Sequence, residues 1–248
     1  MTAERSKKRL DKFLVDEGLV SSRERAQELI RENQVWVNGS RVTKNSLAVS
    51  REDKVDLRSG ESKWVSRGAR KLEKALDHWS LRIQDKKCLD VGACTGGFSQ
   101  VLLERGAKKV YALDGGQGQL ATKLKSDDRV INLEKVNARD IPDHFIPEKL
   151  DFICLDVSYI SLTLVLPEAV KFLAAGGEVV ALIKPQFEVG RGKVKKGLVT
   201  REEDHLKARK KVKEAGGSIG LEDRGIIESP ILGAKGNKEF LIHFQYKL

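Results

Sequence analysis

Several features that often declare a function are missing from this chain. There are three cysteines, Cys88, Cys94 and Cys154, an odd number without a C-x-x-C pair. That argues against a disulfide framework and leads us to expect buried, reduced thiols in a cytoplasmic protein. The four histidines, His78, His144, His205 and His243, are scattered without metal-ligand spacing, so no metal is expected. No window approaches the roughly 18 consecutive apolar residues of a membrane span, so no membrane role is expected. The opening MTAERSKKRLDK is charged and lacks the apolar core of a signal peptide.

What is present is charge. The 248 residues carry a formal net charge of +10 with 33% charged residues. The excess favours a polyanionic partner, nucleic acid being the commonest, with plain solubility as the other reading.

The pattern changes along the chain. Residues 7–18 have helical spacing at Leu10, Phe13 and Leu14, and Ser21 with Glu24 reads as a capping box for a second helix. Val35 to Val42 around Asn38-Gly39 predicts a tight hairpin, and Lys54–Leu57 a further strand. This gives a small α+β domain over 1–60, and the polar, glycine-containing stretch 61–68 reads as a linker. Arg70 to Trp79 reads as a short amphipathic helix. Strands then alternate with helices over 69–248, at Lys87–Val91, Lys109–Asp114, Val130–Glu134, Leu150–Asp156 and Glu178–Lys184. Helices are expected at Gly97–Arg105, Leu162–Leu173 and Glu202–Glu214, with two closing strands near Ser218–Ile227 and Phe240–Tyr246 paired as a hairpin. Such alternation predicts an α/β, Rossmann-like fold with a mostly parallel seven-stranded sheet.

In the first domain Lys7, Lys8, Arg9, Arg23, Arg25 and Arg31 lie on or beside the two helices, a face suited to a phosphate backbone. A solvated helix surface is the competing reading, because the first 65 residues balance 14 Lys/Arg against 11 Asp/Glu. The segments RLDKFL and GLVSSRERAQELIRENQVWVNGSRV resemble the S4 RNA-binding domain in their R-L-D, S-R-x-x-A and V-N-G elements. Asn33 stands where that family commonly has glycine, and asparagine also tolerates a left-handed helix cap.

The second domain opens with Asp90-Val91-Gly92-Ala93-Cys94-Thr95-Gly96-Gly97-Phe98 between a strand and a helix. Glycines there let the backbone turn sharply and approach a ligand at the switch point of the sheet. The spacing is neither G-x-G-x-x-G nor a P-loop, which disfavours a dinucleotide and excludes a bound polyphosphate of that kind. Asp114 ends the next strand, where it can accept both ribose hydroxyls of an adenosine-type cofactor. Together these resemble the class I S-adenosylmethionine-dependent methyltransferases. Asp140 would hold the adenine amino group or serve as a turn residue.

The fourth strand ends at Asp156 without the Pro-Pro of amino-group base methyltransferases, and Cys154 has no neighbouring proline, unlike the nucleophile of carbon-5 cytosine methyltransferases. Lys184 ends the fifth strand, where a buried amine must be paired. With Lys71 and Glu239 it completes two amines and two carboxylates. A ribose 2′-hydroxyl is a poor nucleophile that gains from a base, and Lys184 with Asp156 as orienting partner suits that task. A structural ion-pair network is the competing reading.

The segments SRGARKLEKAL, DVGACTGGF, LDVSYISL, LIKPQFEVGRG and GAKGNKEFL, in this order, closely resemble the TlyA/haemolysin A family, S4-domain proteins with an FtsJ-like ribosomal RNA 2′-O-methyltransferase domain. The resemblance implies a catalytic Lys71–Asp156–Lys184–Glu239 tetrad and S-adenosylmethionine held by Asp90, Gly92, Ala93, Thr95, Gly96, Gly97, Phe98, Asp114, Asp140 and Asp156. It implies ribosomal RNA or ribosomal subunits as partner and cytidine as target. Cys94 stands where the family more often has serine or alanine, and Gln100 where an acid is more usual. Residues 191–213 carry 10 Lys/Arg against 3 Asp/Glu, and Arg191, Lys193, Lys195 and Lys196 read as an RNA-closing loop or as a solvated surface. The alternative to an enzyme is a non-catalytic RNA-binding or ribosome-assembly factor, which a titration with the cofactor would separate. A haemolysin would need a membrane-active apolar segment, and none is found.

Overall fold

The structure, a computed structural model, describes residues 7–20, 22–31, 34–57, 63–233 and 235–247, apart from the side chains of Glu24, Glu28, Arg31 and Arg191. The chain divides into two compact units, residues 1–66 and 67–248.

The smaller unit contains β1 (Lys8–Arg9), α1 (Leu10–Asp16), α2 (Arg23–Arg31), β2 (Val35–Val37), β3 (Ser40–Arg41), β4 (Ala48–Val49) and β5 (Val55–Leu57). Its core is made by Leu10, Phe13 and Leu14 of α1 against Ala26, Leu29 and Ile30 of α2. The expected hairpin forms as β2–β3, with Asn38 and Gly39 both at positive φ, 50° and 77°, the geometry that a two-residue turn between twisted strands demands. Ser22 accepts from the backbone N–H of Arg25 at 3.2 Å. Ser21 and Asn33 lie outside the described residues.

The larger unit begins with α3 (Ala69–His78) and continues β6 (Lys87–Val91), α4 (Gly97–Glu104), β7 (Lys109–Asp114), α5 (Thr122–Lys125), β8 (Val130–Glu134) and β9 (Leu150–Leu155). Then come α6 (Leu162–Val170), β10 (Leu173–Ile183), α7 (Pro185–Glu188), α8 (Glu202–Gly217), β11 (Leu221–Glu228) and β12 (Phe240–Tyr246). Seven strands form one sheet in the order β11-β12-β10-β9-β6-β7-β8, parallel except for β12, which runs against both neighbours. The central strands are apolar on both faces because helices cover both, so Leu89, Val91, Leu113, Ile153, Leu155, Ala181 and Ile183 are all buried. β10 begins at Leu173, earlier than its apolar run suggested, and its pairing with β9 slips between Leu173 and Glu178. Glycines at 176 and 177 carry the chain through that irregularity.

The topology decides where a ligand goes. From β6 the chain moves outward to β7 and β8, then returns to β9 on the other side of β6. The carboxyl ends of β6 and β9 therefore face a crevice that no crossover closes.

Candidate active site

Each candidate residue sits at a strand tip or the start of a helix for a reason that register makes explicit. Asp156 directly follows β9 and Lys184 directly follows β10. Ala181 pairs with Leu155 in the parallel ladder, so the two residues leave neighbouring tips of the sheet. β12 is antiparallel, and Phe240 pairs with Ile183. Glu239, the residue before β12, is thereby carried opposite Lys184. Lys71 comes from the first turns of α3, whose apolar face (Leu72, Ala75 and Leu76) is buried.

The four side chains meet. Lys71 Nζ donates to Glu239 Oε2 at 2.7 Å and lies 3.8 Å from Asp156 Oδ2. Lys184 Nζ lies 2.6 Å from Asp156 Oδ1 and donates to Ser158 Oγ at 2.8 Å. Lys71, Lys184 and Glu239 are buried, and Asp156 keeps partial exposure. Two positive and two negative groups offset one another, which is what lets a charged cluster persist away from water. Burial pulls the Lys71 amine down, but Asp156 and Glu239 outweigh it and hold the group above its ordinary value, as an ammonium. Burial likewise pushes Asp156 up, but Lys184 and Lys71 overcome it and keep the carboxyl below its ordinary value.

The glycine loop lies beside this cluster. Gly92 and Ala93 both donate to the Leu113 carbonyl, at 2.8 and 3.0 Å, and the Cys94 N–H donates to Asp114 Oδ2 at 2.8 Å. A second N–H, from Gly116, reaches Asp114 Oδ1 at 2.7 Å. Gly92 has φ +88°, and a Cβ there would stand 2.7 Å from the carbonyl oxygen of Asp156. Only glycine allows the two strand tips to approach this closely. The Asp156 N–H in turn donates to the Val91 carbonyl at 2.9 Å, so the loop and the tetrad carboxylate are locked together.

The residues at the loop fit an adenosine-type cofactor with a charged amino-acid tail. Asp90 is fully buried; its Oδ2 accepts from Ser99 N–H and Ser99 Oγ at 2.9 and 2.7 Å, while its Oδ1 has no partner. Burial raises this carboxyl to about 7. A buried acceptor left open beside a backbone cradle is an invitation to a donor. Asp114 remains partly exposed at the tip of β7, where ribose hydroxyls can reach it. Gly96 stands at φ +94° and Gly97 starts α4, with Thr95 half-buried between loop and helix. Phe98 is buried in the core beneath the loop. Asp140 is exposed on a turn closed by its own N–H to the Asn137 carbonyl.

The expectation for Cys94 is corrected. It is exposed, unlike Cys88 and Cys154, because it sits at φ 49° in the loop, past the end of β6. Gln100 is buried on α4 and donates to Glu104 Oε1 at 2.9 Å.

The candidate RNA contacts fall into two groups. In the smaller unit, Arg9 and Arg23 close on the buried carboxylate of Asp11 at 3.0 Å each, and Lys8 pairs with Asp16 at 2.6 Å. Asp11 is held well below the usual carboxylate range, first by its hydrogen bond from Arg9, against the opposing effect of burial. Both guanidinium groups remain about half exposed, so the same arginines brace the domain and face solvent. Lys7 is exposed and Arg25 half-buried, while the side chains of Arg31 and Arg191 lie outside the described atoms. In the larger unit Lys193, Lys195 and Lys196 are exposed on a strap that the sequence left as a loop.

Four residues the motifs did not single out support this site. Ser158 receives Lys184. Buried Asn237 pins the strap, its Oδ1 accepting from Val199 N–H at 2.9 Å and its Nδ2 donating to the Gly197 carbonyl at 2.8 Å. Gly233 leaves room for the Glu239 carboxylate, which a Cβ would strike. Buried Glu188 accepts from Ser161 Oγ at 2.5 Å and from Leu162 N–H at 2.8 Å, anchoring the start of α6. The signal for Gly233 and Asn237 was their place in GAKGNKEFL, and for Glu188 its place in LIKPQFEVGRG.

Comparison with known proteins gives the family. Residues 64–246 match the model of the FtsJ-like methyltransferase family, and residues 8–55 match the S4 domain. Hemolysin A of Brachyspira hyodysenteriae is 42% identical over 240 residues, covering 95% of this chain and 99% of the relative. The chain is a member of the TlyA/haemolysin A family of FtsJ-like methyltransferases. A second relative is a Mycobacterium tuberculosis protein named 16S/23S rRNA (cytidine-2′-O)-methyltransferase TlyA. It is 41% identical over 237 residues, covering 94% of this chain and 88% of its own. Among solved structures, a candidate hemolysin from Streptococcus thermophilus shares 40% identity with a TM-score of 0.77, covering 98% of this chain and 90% of that one. As an FtsJ-like methyltransferase, the chain takes S-adenosylmethionine as its methyl donor. No helix among the described residues is long and apolar enough to cross a membrane.

Proposed function

We propose that this protein methylates the ribose 2′-hydroxyl of cytidines in ribosomal RNA, acting in the cytoplasm with the S4 unit as an RNA-holding module. The observation that carries the reading is the Lys184–Asp156–Lys71–Glu239 chain beside the glycine loop, joined to it through the Asp156 backbone. Relatives named for cytidine 2′-O-methylation of ribosomal RNA supply the substrate class.

The residues divide the work. Lys184 takes the proton of the 2′-hydroxyl as that oxygen attacks, and Asp156 stabilises the ammonium that results. Lys71, kept charged by its two acids, faces the negative charge growing on the attacking oxygen. Glu239 holds Lys71 in place and leaves the amine no freedom to turn away. Bound S-adenosylmethionine supplies a methyl group already activated by its sulfonium. Positioning of the hydroxyl against it then supplies much of the rate. The exposed strap lysines and the basic helix surfaces of the S4 unit neutralise phosphates, a contact that sets affinity rather than sequence.

The test is a map of ribose methylation on ribosomal RNA treated with the donor and either wild type or Lys184→Ala. Wild type is expected to modify cytidine riboses, and the variant to bind the donor normally in calorimetry while modifying almost none. Equal modification by both proteins removes Lys184 from the role of base, and methyl groups on bases overturn the reaction.

A further inference from the structure

Lys184 has two partners that differ in kind. Asp156 Oδ1 lies 2.6 Å from its Nζ and supplies charge, yet no well-aligned hydrogen bond reaches that oxygen. The directional hydrogen bond goes to Ser158, whose Oγ accepts from Nζ at 2.8 Å. Attraction between charges depends on distance, whereas a hydrogen bond weakens steeply with angle. The carboxylate therefore keeps the amine near, and the hydroxyl decides which way it points.

Direction matters to a base. A neutral amine has two N–H bonds and one lone pair. With one N–H fixed on Ser158 and the Asp156 carboxylate close by, the lone pair is confined to fewer orientations. Losing Ser158 leaves the amine free to rotate about its contact with Asp156.

The loop carrying Ser158 is held firmly enough for this task. At one end the Asp156 N–H donates to the Val91 carbonyl. At the other, buried Glu188 grips Ser161 Oγ and the Leu162 N–H, and Lys211 of α8 donates to the Glu188 carbonyl at 3.0 Å. Next to Ser158, Tyr159 stands at φ 66°. A bulky residue keeps such a backbone only where its surroundings over-determine it, and such strain gathers at functional sites.

We propose that Ser158 is a positioning residue for the methyl transfer, aiming the Lys184 amine at the 2′-hydroxyl; the role rests on the reading that Lys184 receives that proton. The proton passes from the 2′-oxygen to Lys184 Nζ, and the new carbon–oxygen bond forms as the carbon–sulfur bond breaks. Ser158 lends an acceptor lone pair throughout and keeps its own proton. Ser158 as a residue is exposed, while its hydrogen bond with Lys184 is partly buried.

The experiment uses the full chain with ribosomal RNA and S-adenosylmethionine, and compares wild type, Ser158→Ala and Ser158→Thr. Removing one hydrogen bond to a charged group lowers kcat about tenfold to hundredfold in the alanine variant, with KM for RNA and calorimetric donor binding unchanged. Threonine keeps the hydroxyl and restores most of the rate. Wild-type kcat in the alanine variant overturns the proposal. So does an equal loss in both variants accompanied by weaker donor binding, since that marks loop packing rather than aim. If the wild type itself puts methyl groups on bases, the ribose reading fails first and takes the role of Ser158 with it.

Discussion

The buried Lys71–Glu239 pair makes a quantitative test, because the same residues enter stability and chemistry with different arithmetic. Glu239→Leu removes the carboxylate that accepts from Lys71 at 2.7 Å and leaves the ammonium with Asp156 alone, 3.8 Å away. Breaking a buried ion pair by deleting one partner costs about 3–5 kcal/mol, most of it the uncompensated charge. Removing both charges at once, in Lys71→Met/Glu239→Leu, avoids that term, and such replacements are often close to neutral. For a domain of this size each kcal/mol moves Tm by roughly 2–4 °C, so the single variant should melt roughly 6–20 °C lower. The double variant should recover most of the difference. Calorimetric unfolding of the full chain reads both, following the transition of the larger unit. Methylation of ribosomal RNA should be absent from both variants, so a stable but inert double variant separates chemistry from folding. A single variant melting within a degree of wild type would refute the reasoning, for it would mean the Lys71 ammonium is hydrated.

Three further outcomes follow from the same geometry. Asp90 is raised to about 7 from an ordinary 3.8, so the stability it contributes is fully present below pH ~4 and is lost as pH rises through 7. Urea midpoints of Asp90→Asn, which cannot ionise, should therefore rise relative to wild type between pH 4 and 8, and parallel curves would show that the carboxyl titrates normally. Gly92→Ala places a methyl 2.7 Å from the Asp156 carbonyl at a φ of +88°, so donor affinity by calorimetry should fall at least about tenfold; unaltered affinity would disprove the close approach. Replacing Lys193, Lys195 and Lys196 together by alanine should weaken RNA binding and flatten its salt dependence by up to about three phosphate contacts, and an unchanged slope would place the strap away from RNA.

Much of this site could be read before any coordinate. The glycine loop declared itself because its backbone needs glycine at Gly92 and Gly96, and steric requirements of that kind are written residue by residue. Lys184 stood out as an amine at the end of an apolar run, where burial demands a partner. The errors have physical sources too. Cys94 looked buried because it adjoins an apolar strand, but a left-handed turn aims it outward. Ser158 and Glu188 lie inside LDVSYISL and LIKPQFEVGRG, but a serine in a loop and a glutamate ending α7 gain their roles only from what stands opposite them.

The sequence by itself determined the two-part organisation, the alternation of strand and helix, and the residue types available for chemistry, because period, turn preference and burial cost act over short stretches of chain. Only the tertiary structure decided that Lys71 and Glu239, 168 positions apart, form one ion pair, and that Asp156 reaches both amines and bonds through its backbone to the end of β6 before the glycine loop. Those contacts depend on the reversal of direction at β6 and the antiparallel register of β12. Strand order and register are properties of the assembled sheet, settled when buried faces and charges find their partners.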